Sequence, residues 1–166
     1  LYLRNASTVN GASGITLTGA QPTNGGRWNV VENNLLLGAN IQLGSNKDCR
    51  VSDNTFYEPF DIAISVGGSS TGDSAGVNPT EEAAGTAQRC VISKNIIRRT
   101  GTTTFTGGSI NVNTAYWIDV LGNVVSGSHG PGIDLNPDAA VSGISFGCWY
   151  CNVNDNNEFR LVANRI

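Results

Sequence analysis

Apolar residues along this chain fall in short, β-branched bursts separated by Gly, Asn, Ser and Thr, with almost no stripe of period 3.6. That spacing predicts many short strands rather than helices. The bursts also repeat. An aliphatic residue, two positions, Asn, one position and a second apolar residue recur as Val31-Glu-Asn-Asn34-Leu-Leu36, Val51-Ser-Asp-Asn54-Thr-Phe56, Ile92-Ser-Lys-Asn95-Ile-Ile97 and Val120-Leu-Gly-Asn123-Val-Val125. Each is followed by alternating aliphatics: Ile41-Gln-Leu43, Ile62-Ala-Ile64, Ile110-Asn-Val112 and Ile133-Asp-Leu135. Tyr2-Leu-Arg-Asn5 with Ile15-Thr-Leu17 reads as a degenerate earlier copy. Val153-Asn-Asp-Asn156 and Leu161-Val-Ala-Asn164 compete for the last register.

Successive repeat asparagines are 20, 41 and 28 residues apart. The shortest interval suits one turn of three short strands and three bends. The longer ones are that turn plus insertions, at Gly67 to Gln88 and Thr100 to Gly108, as expected of loops leaving a rigid scaffold. Stacked turns would pair equivalent strands in parallel, roughly 4.8 Å apart, with aliphatics inward. Asn34, Asn54, Asn95 and Asn123 would then form a structural ladder, each at a bend requiring left-handed backbone, which Asn tolerates, and each bonded to the amides above and below.

Composition fits this picture. Among the 166 residues 20 are Asn and 21 Gly, only 14% are charged, and the net charge is −3. Charges stacked on every turn would repel, whereas amides attract. The absence of basic runs argues against a nucleic-acid partner. No apolar run approaches the ~20 residues of a membrane span. The chain reads as a single β-helix domain over residues 1–166, a piece of a longer protein.

The paired phrases resemble the right-handed, single-stranded parallel β-helix of the pectate-lyase-like superfamily, here an all-β solenoid of five to six turns with inserted loops. The resemblance covers roughly residues 28 to 135 and is nearest to bacteriophage tailspikes. It implies a tailspike or tail-fibre segment, homotrimeric, that binds and in some members degrades bacterial capsular or O-antigen polysaccharide. Such a protein is assembled in the bacterial cytoplasm and carried on the virion tail. The alternatives are an extracellular polysaccharide lyase or glycoside hydrolase of the same class, or a non-enzymatic spacer. Fold alone does not choose among them.

In a β-helix acting on polysaccharide, the chemistry belongs on an outer face lined by outward residues and inserted loops. Glycoside hydrolysis needs two carboxylates about 5–9.5 Å apart. The outward column of the second phrase reads Thr16, Gln42, Ala63, Asn111, Asp134, with Asp61 two residues before Ala63 and about 12 Å from Asp134. Asp134 and Asp61, with His129 in the adjoining loop, are the catalytic candidates. Glu58 and the loop acids Asp73, Glu81 and Glu82 would join Asp61 only if the first insertion folds back. Among the aromatics Trp28, Trp117, Trp149, Tyr116 and Tyr150, Trp117 precedes the inward Ile118 and points out, and with Tyr116 it offers a stacking platform for a sugar ring or a subunit contact. Gln42, Asn111 and Arg99 complete the carbohydrate-binding candidates.

Cys49, Cys90 and Cys151 each precede the first aliphatic of a repeat by two residues and so share one inward column with Ile118; the thiols are expected to be reduced and structural. Cys148-Trp-Tyr-Cys151 lacks the βαβ setting of a redox motif. With His129 the only histidine, no metal site and no cofactor is expected.

Overall fold

The computed structural model of the chain describes residues 2–4, 13–17, 27–44, 46–59, 62–67, 87–100, 109–113, 115–128, 132–134, 148–149 and 151–160. Those residues are all-β. The first strands are β1 (Tyr2–Arg4) and β2 (Ser13–Leu17), followed by β3 (Val30–Glu32), β4 (Leu35–Leu37) and β5 (Asn40–Leu43). The next turn holds β6 (Arg50–Ser52), β7 (Thr55–Tyr57) and β8 (Ile64–Gly67); the one after holds β9 (Ala87–Gln88), β10 (Val91–Ser93), β11 (Ile96–Arg98) and β12 (Ile110–Asn113). Then come β13 (Ala115–Tyr116), β14 (Asp119–Leu121), β15 (Val124–Ser128) and β16 (Ile133–Asp134), and finally β17 (Cys148–Trp149), β18 (Asn152–Asn154) and β19 (Asn157–Arg160).

The strands pair in parallel into four sheets. Sheet I is β3-β6-β10-β14-β18, sheet II β1-β4-β7-β11-β15-β19, sheet III β2-β5-β8-β12-β16 and sheet IV β9-β13-β17. From β3 onward the chain visits them in a recurring order, I, II, III and then IV, which is a parallel β-helix-like arrangement. Sheet IV is one more than the three strands per turn that the repeat predicts. Its strands are two residues long and lie in the stretches between the repeated phrases, and isolated bridges from Arg27 to Lys47 and from Lys47 to Gln88 extend it.

The core is built of stacked columns, because in-register parallel pairing puts equivalent residues directly above one another. Sheet I stacks Val31, Val51, Ile92 and Val120; sheet II stacks Leu36, Phe56, Ile97 and Val125; sheet III stacks Ile41, Ile64 and Ile110 beside Leu43, Val66 and Val112. All are buried. Sheet III corrects one register. Gln42 pairs with Ser65, not Ala63, and Ala63 is fully buried. Two aliphatic alternations overlap in Ile62-Ala-Ile64-Ser-Val66, and the second one fills the core.

The asparagine ladder is present and continues through Asn156. The side-chain Nδ2 of Asn34 donates to Asn54 Oδ1 (2.9 Å), Asn54 to Asn95 (3.0 Å), Asn95 to Asn123 (2.9 Å) and Asn123 to Asn156 (2.9 Å). The same Oδ1 atoms also accept from the backbone N–H groups of Asn34, Asn54, Asn95 and Asn123 at 2.9–3.1 Å. The second Nδ2 hydrogen of Asn54, Asn95 and Asn123 goes to the carbonyls of Val31, Val51 and Ile92. Each internal amide thus makes its four hydrogen bonds while buried. The pairing of Val120 with Val153 places Asn156, not Asn164, in the last register.

The left-handed backbone lies one residue earlier than expected. Asn33, Asp53, Lys94, Gly122 and Asp155 have φ of 55° to 62°, while the ladder asparagines do not. The division of labour is physical: the bend residue points to solvent and needs only a tolerant backbone, while the next side chain points inward and needs a full amide. Two further bend columns are Trp28, Asp48, Arg89 and Trp117 between sheets IV and I, and Gly38, Glu58, Arg99 and Gly127 on leaving sheet II.

Cys49 and Cys90 are free, buried and stacked with Ile118 and the partly buried Cys151, as the spacing predicts. The hydrogen bond that Cys90 donates to Cys49, together with burial, pushes the Cys90 thiol far up, so it stays protonated and packs as a small apolar group. Cys151, in contrast, is disulfide-bonded, which corrects the expectation that all the thiols are reduced. A cysteine joined covalently no longer has the freedom of its column mates, and spacing to Val153 carries no information about that bond.

Candidate functional site: an aromatic and charged edge

The bend column between sheets IV and I is unlike the other two. Trp28, Asp48, Arg89 and Trp117 each stand two residues before a residue of one pairing row, Val30-Arg50-Val91-Asp119, and so lie on successive rungs. Their φ values are 50° to 56°. Left-handed backbone is uncommon for any residue with a Cβ and an outlier for a bulky one. Trp28 is nevertheless 75% exposed and Trp117 40% exposed. Their backbones lie three rungs apart, ~14 Å at roughly 4.8 Å per rung.

Between the tryptophans sits a two-point ion pair. Arg89 Nε donates to Asp48 Oδ1 at 2.6 Å and Nη2 to Oδ2 at 3.1 Å. On the sheet I side, Arg50 Nη2 meets Glu32 Oε2 at 2.8 Å. Trp28, Val30, Asp48, Cys49, Arg50, Arg89 and Val91 line an open groove of about 420 Å³. Its floor is apolar through Val30 and Val91, and its rim is charged.

The Arg89 guanidinium holds the Asp48 carboxyl below its ordinary value of 3.8, against the effect of burial, with Arg27 and Lys47 adding to the field. The folded-state pKa is therefore depressed below the unfolded one. The stabilisation from Asp48 is present above the ordinary carboxylate range and fades as pH falls through the folded-state value. Asp48→Asn should shrink the loss of melting temperature between about pH 5 and about pH 3 relative to the wild type; identical acid limbs in thermal melts would refute this role.

The catalytic candidates are not brought together in the described residues. Asp61 and His129 lie outside them. Asp134 is in β16 and pairs with Asn111, so the sheet III column reads Thr16, Gln42, Ser65, Asn111, Asp134; the side chain of Asp134 is outside the described residues. The two-residue register shift moves Ser65, not Ala63, into that column and removes the basis for the 12 Å spacing to Asp61. Gln42 is exposed, and among the described residues the buried Oδ1 of Asn111 has no hydrogen-bond partner. Arg99 is on a different edge, ion-paired with Glu58 at 2.7 Å, while Arg98 lies over the Tyr57 ring. Asp73, Glu81 and Glu82 lie outside the described residues. Tyr116 is in sheet IV, its side chain likewise outside them, next to Trp117 on the aromatic edge.

Of Trp28, Asp48, Arg50 and Arg89, the sequence singles out only Trp28, as an aromatic with no assigned position. A signal for three of them exists: 28, 48, 89 and 117 all stand three residues before the first aliphatic of a repeat. The same spacing puts Tyr150 next, outside the described residues.

No protein-family profile, curated protein or solved structure matches the chain. Among the described residues no helix is long and apolar enough to cross a membrane, a statement that does not extend to β-barrels.

Proposed function

We propose that the chain is part of a bacteriophage tailspike or tail fibre, a right-handed parallel β-helix whose Trp28–Trp117 edge binds bacterial capsular or O-antigen polysaccharide. The observation that carries this reading is the pair of exposed indoles held on strained backbone along one edge. Strained, exposed aromatics cost stability that a spacer has no reason to give up. Apolar faces of sugar rings stack on such indoles, and the charged rim supplies hydrogen-bond partners for hydroxyls. The right hand of the coil is supported by the strong preference of parallel crossovers for that hand. Homotrimer formation goes with the same reading.

A second reading, an extracellular polysaccharide lyase or hydrolase, draws support from the disulfide at Cys151, since such bonds persist in oxidising compartments. Incubation with a panel of capsular and O-antigen polysaccharides tests both. Binding without product supports a receptor-binding β-helix. New reducing ends mark a hydrolase, and unsaturated products absorbing in the ultraviolet mark a lyase. A panel in which no polysaccharide is bound or cut by the folded protein rejects both.

A further inference from the structure

Among the described residues, two cations beside the aromatic edge have no acid within ion-pair distance. The exposed Arg27 and the buried Lys47 pair on consecutive rungs of the sheet IV column, joined by a parallel bridge. Like charges directly opposite one another on neighbouring strands are destabilising. Arg50, Arg89 and Arg99 each hold a carboxylate at 2.6–2.8 Å. Arg27 and Lys47 do not: among the described residues neither has an acid within ion-pair distance. Asp48 adjoins Lys47 in sequence but is committed to Arg89 at two points. Lys47 is moreover only 7% exposed. Taking a charged side chain most of the way out of water without pairing it costs free energy, and breaches of that kind collect at functional sites.

The surroundings repeat the pattern. Among the described residues along the edge, Arg27, Lys47, Arg50 and Arg89 stand against Glu32, Asp48 and Asp119, a small local excess of positive charge on a chain whose net charge is −3. Arg27 immediately precedes Trp28, and Lys47 precedes Asp48, the residue one rung from Trp28. A ring stacked on Trp28 would sit at the residue adjoining Arg27 and one rung from the Lys47–Asp48 step. Hydroxyls would leave the charges uncompensated, whereas an oxyanion would neutralise them, and a guanidinium takes planar oxyanions by two parallel hydrogen bonds.

We infer that the polysaccharide bound at this edge is anionic, with its oxyanion groups held by Arg27 and Lys47 next to a ring stacked on Trp28. This rests on the polysaccharide-binding reading above. The shared chemistry is an oxyanion with an oxygen fork, carried as a carboxylate or as a sulfate ester.

The test measures binding of the whole chain to dextran, carboxymethyl-dextran and dextran sulfate of matched length, at about 50 and about 500 mM salt. Both charged polymers should bind at least about tenfold tighter than dextran at low salt, and the difference should shrink at high salt. The stronger of the two identifies the oxyanion source. Arg27→Gln/Lys47→Met should abolish the preference for charge and, in the absence of ligand, melt no lower than the wild type because the like-charge contact is gone while the Lys47 stem is mimicked. Charged polymers binding no tighter than dextran, or binding the double variant as tightly as the wild type, would overturn the inference. A neutral capsular or O-antigen polysaccharide bound through Trp28 would in that event leave the polysaccharide-binding reading standing.

Discussion

Replacing Asn95 by alanine is expected to lower the stability of the fold by about 3–5 kcal/mol, far above the usual effect of a single substitution. Asn95 stands mid-ladder and fully buried. Its Oδ1 accepts from the backbone N–H of Asn54 at 3.1 Å and from Asn54 Nδ2 at 3.0 Å. Its Nδ2 donates to Asn123 Oδ1 and to the carbonyl of Val51. Alanine leaves two buried donors on Asn54 with nothing to bond, each costing about 1–3 kcal/mol, and opens a cavity as well. The measurement is the urea midpoint and slope of the variant, followed by far-ultraviolet circular dichroism. A loss under about 1 kcal/mol would mean that the ladder is decoration on an apolar core that holds without it.

Asn95→Asp sharpens the test. Aspartate keeps the acceptor but turns the two donors into a charged oxygen facing Asn123 Oδ1 and the Val51 carbonyl. Burial and those acceptors favour the protonated acid, so its folded-state pKa should rise above the unfolded value. The penalty is then present above the unfolded pKa and relieved as pH falls, opposite in sign to the Asp48 effect. Asn33→Asp, one bend away and exposed, is the control. Asp53 and Asp155 already occupy equivalent positions, so that change should stay within about 0.5 kcal/mol.

Trp28→Gly and Trp117→Gly should each weaken polysaccharide binding by about tenfold or more, the ordinary cost of removing an aromatic anchor. Neither should destabilise the fold. Glycine relieves the left-handed strain at φ of 56° and 50°, which offsets its own entropic cost of about 0.5–1 kcal/mol. Gly122 and Gly38 already show that glycine serves at bends of this coil. Affinity electrophoresis in the polysaccharide bound by the wild type, with a thermal melt alongside, reads both quantities. Variants that bind normally, or that lose binding only because they unfold, would remove the aromatic edge from the site.

How far the site was legible in the sequence differs residue by residue. Trp117 was recognisable because it adjoins the inward Ile118 and so must point out. Trp28 lies beyond two insertions of unequal length from Trp117, and only counting back three residues from the first aliphatic of each repeat puts the two indoles on one line. Asp48 and Arg89 read separately as ordinary surface charges; only their shared column makes them a pair. Arg99, attractive as a basic residue near an insertion, is turned to another edge and already neutralised by Glu58.

The sequence by itself determined the all-β class, the aliphatic stacks and the ladder asparagines Asn34, Asn54, Asn95 and Asn123, whereas strand pairing chose Asn156 over Asn164. These follow from positions within a few residues of one another, and a six-residue phrase fixes them whatever the loops do. Tertiary structure alone decided the rest. It chose Ile64 and Val66 over Ile62 and Ile64 for the core, since strand pairing fixes register when two alternations overlap. It moved the left-handed bend to the residue before each ladder asparagine, since one side chain cannot face solvent and bond inward at once. It also added sheet IV and aligned Trp28, Asp48, Arg89 and Trp117 on its border. In a coil, neighbours across a rung are set by hydrogen-bond register, and the number of residues between them carries no record of which will meet.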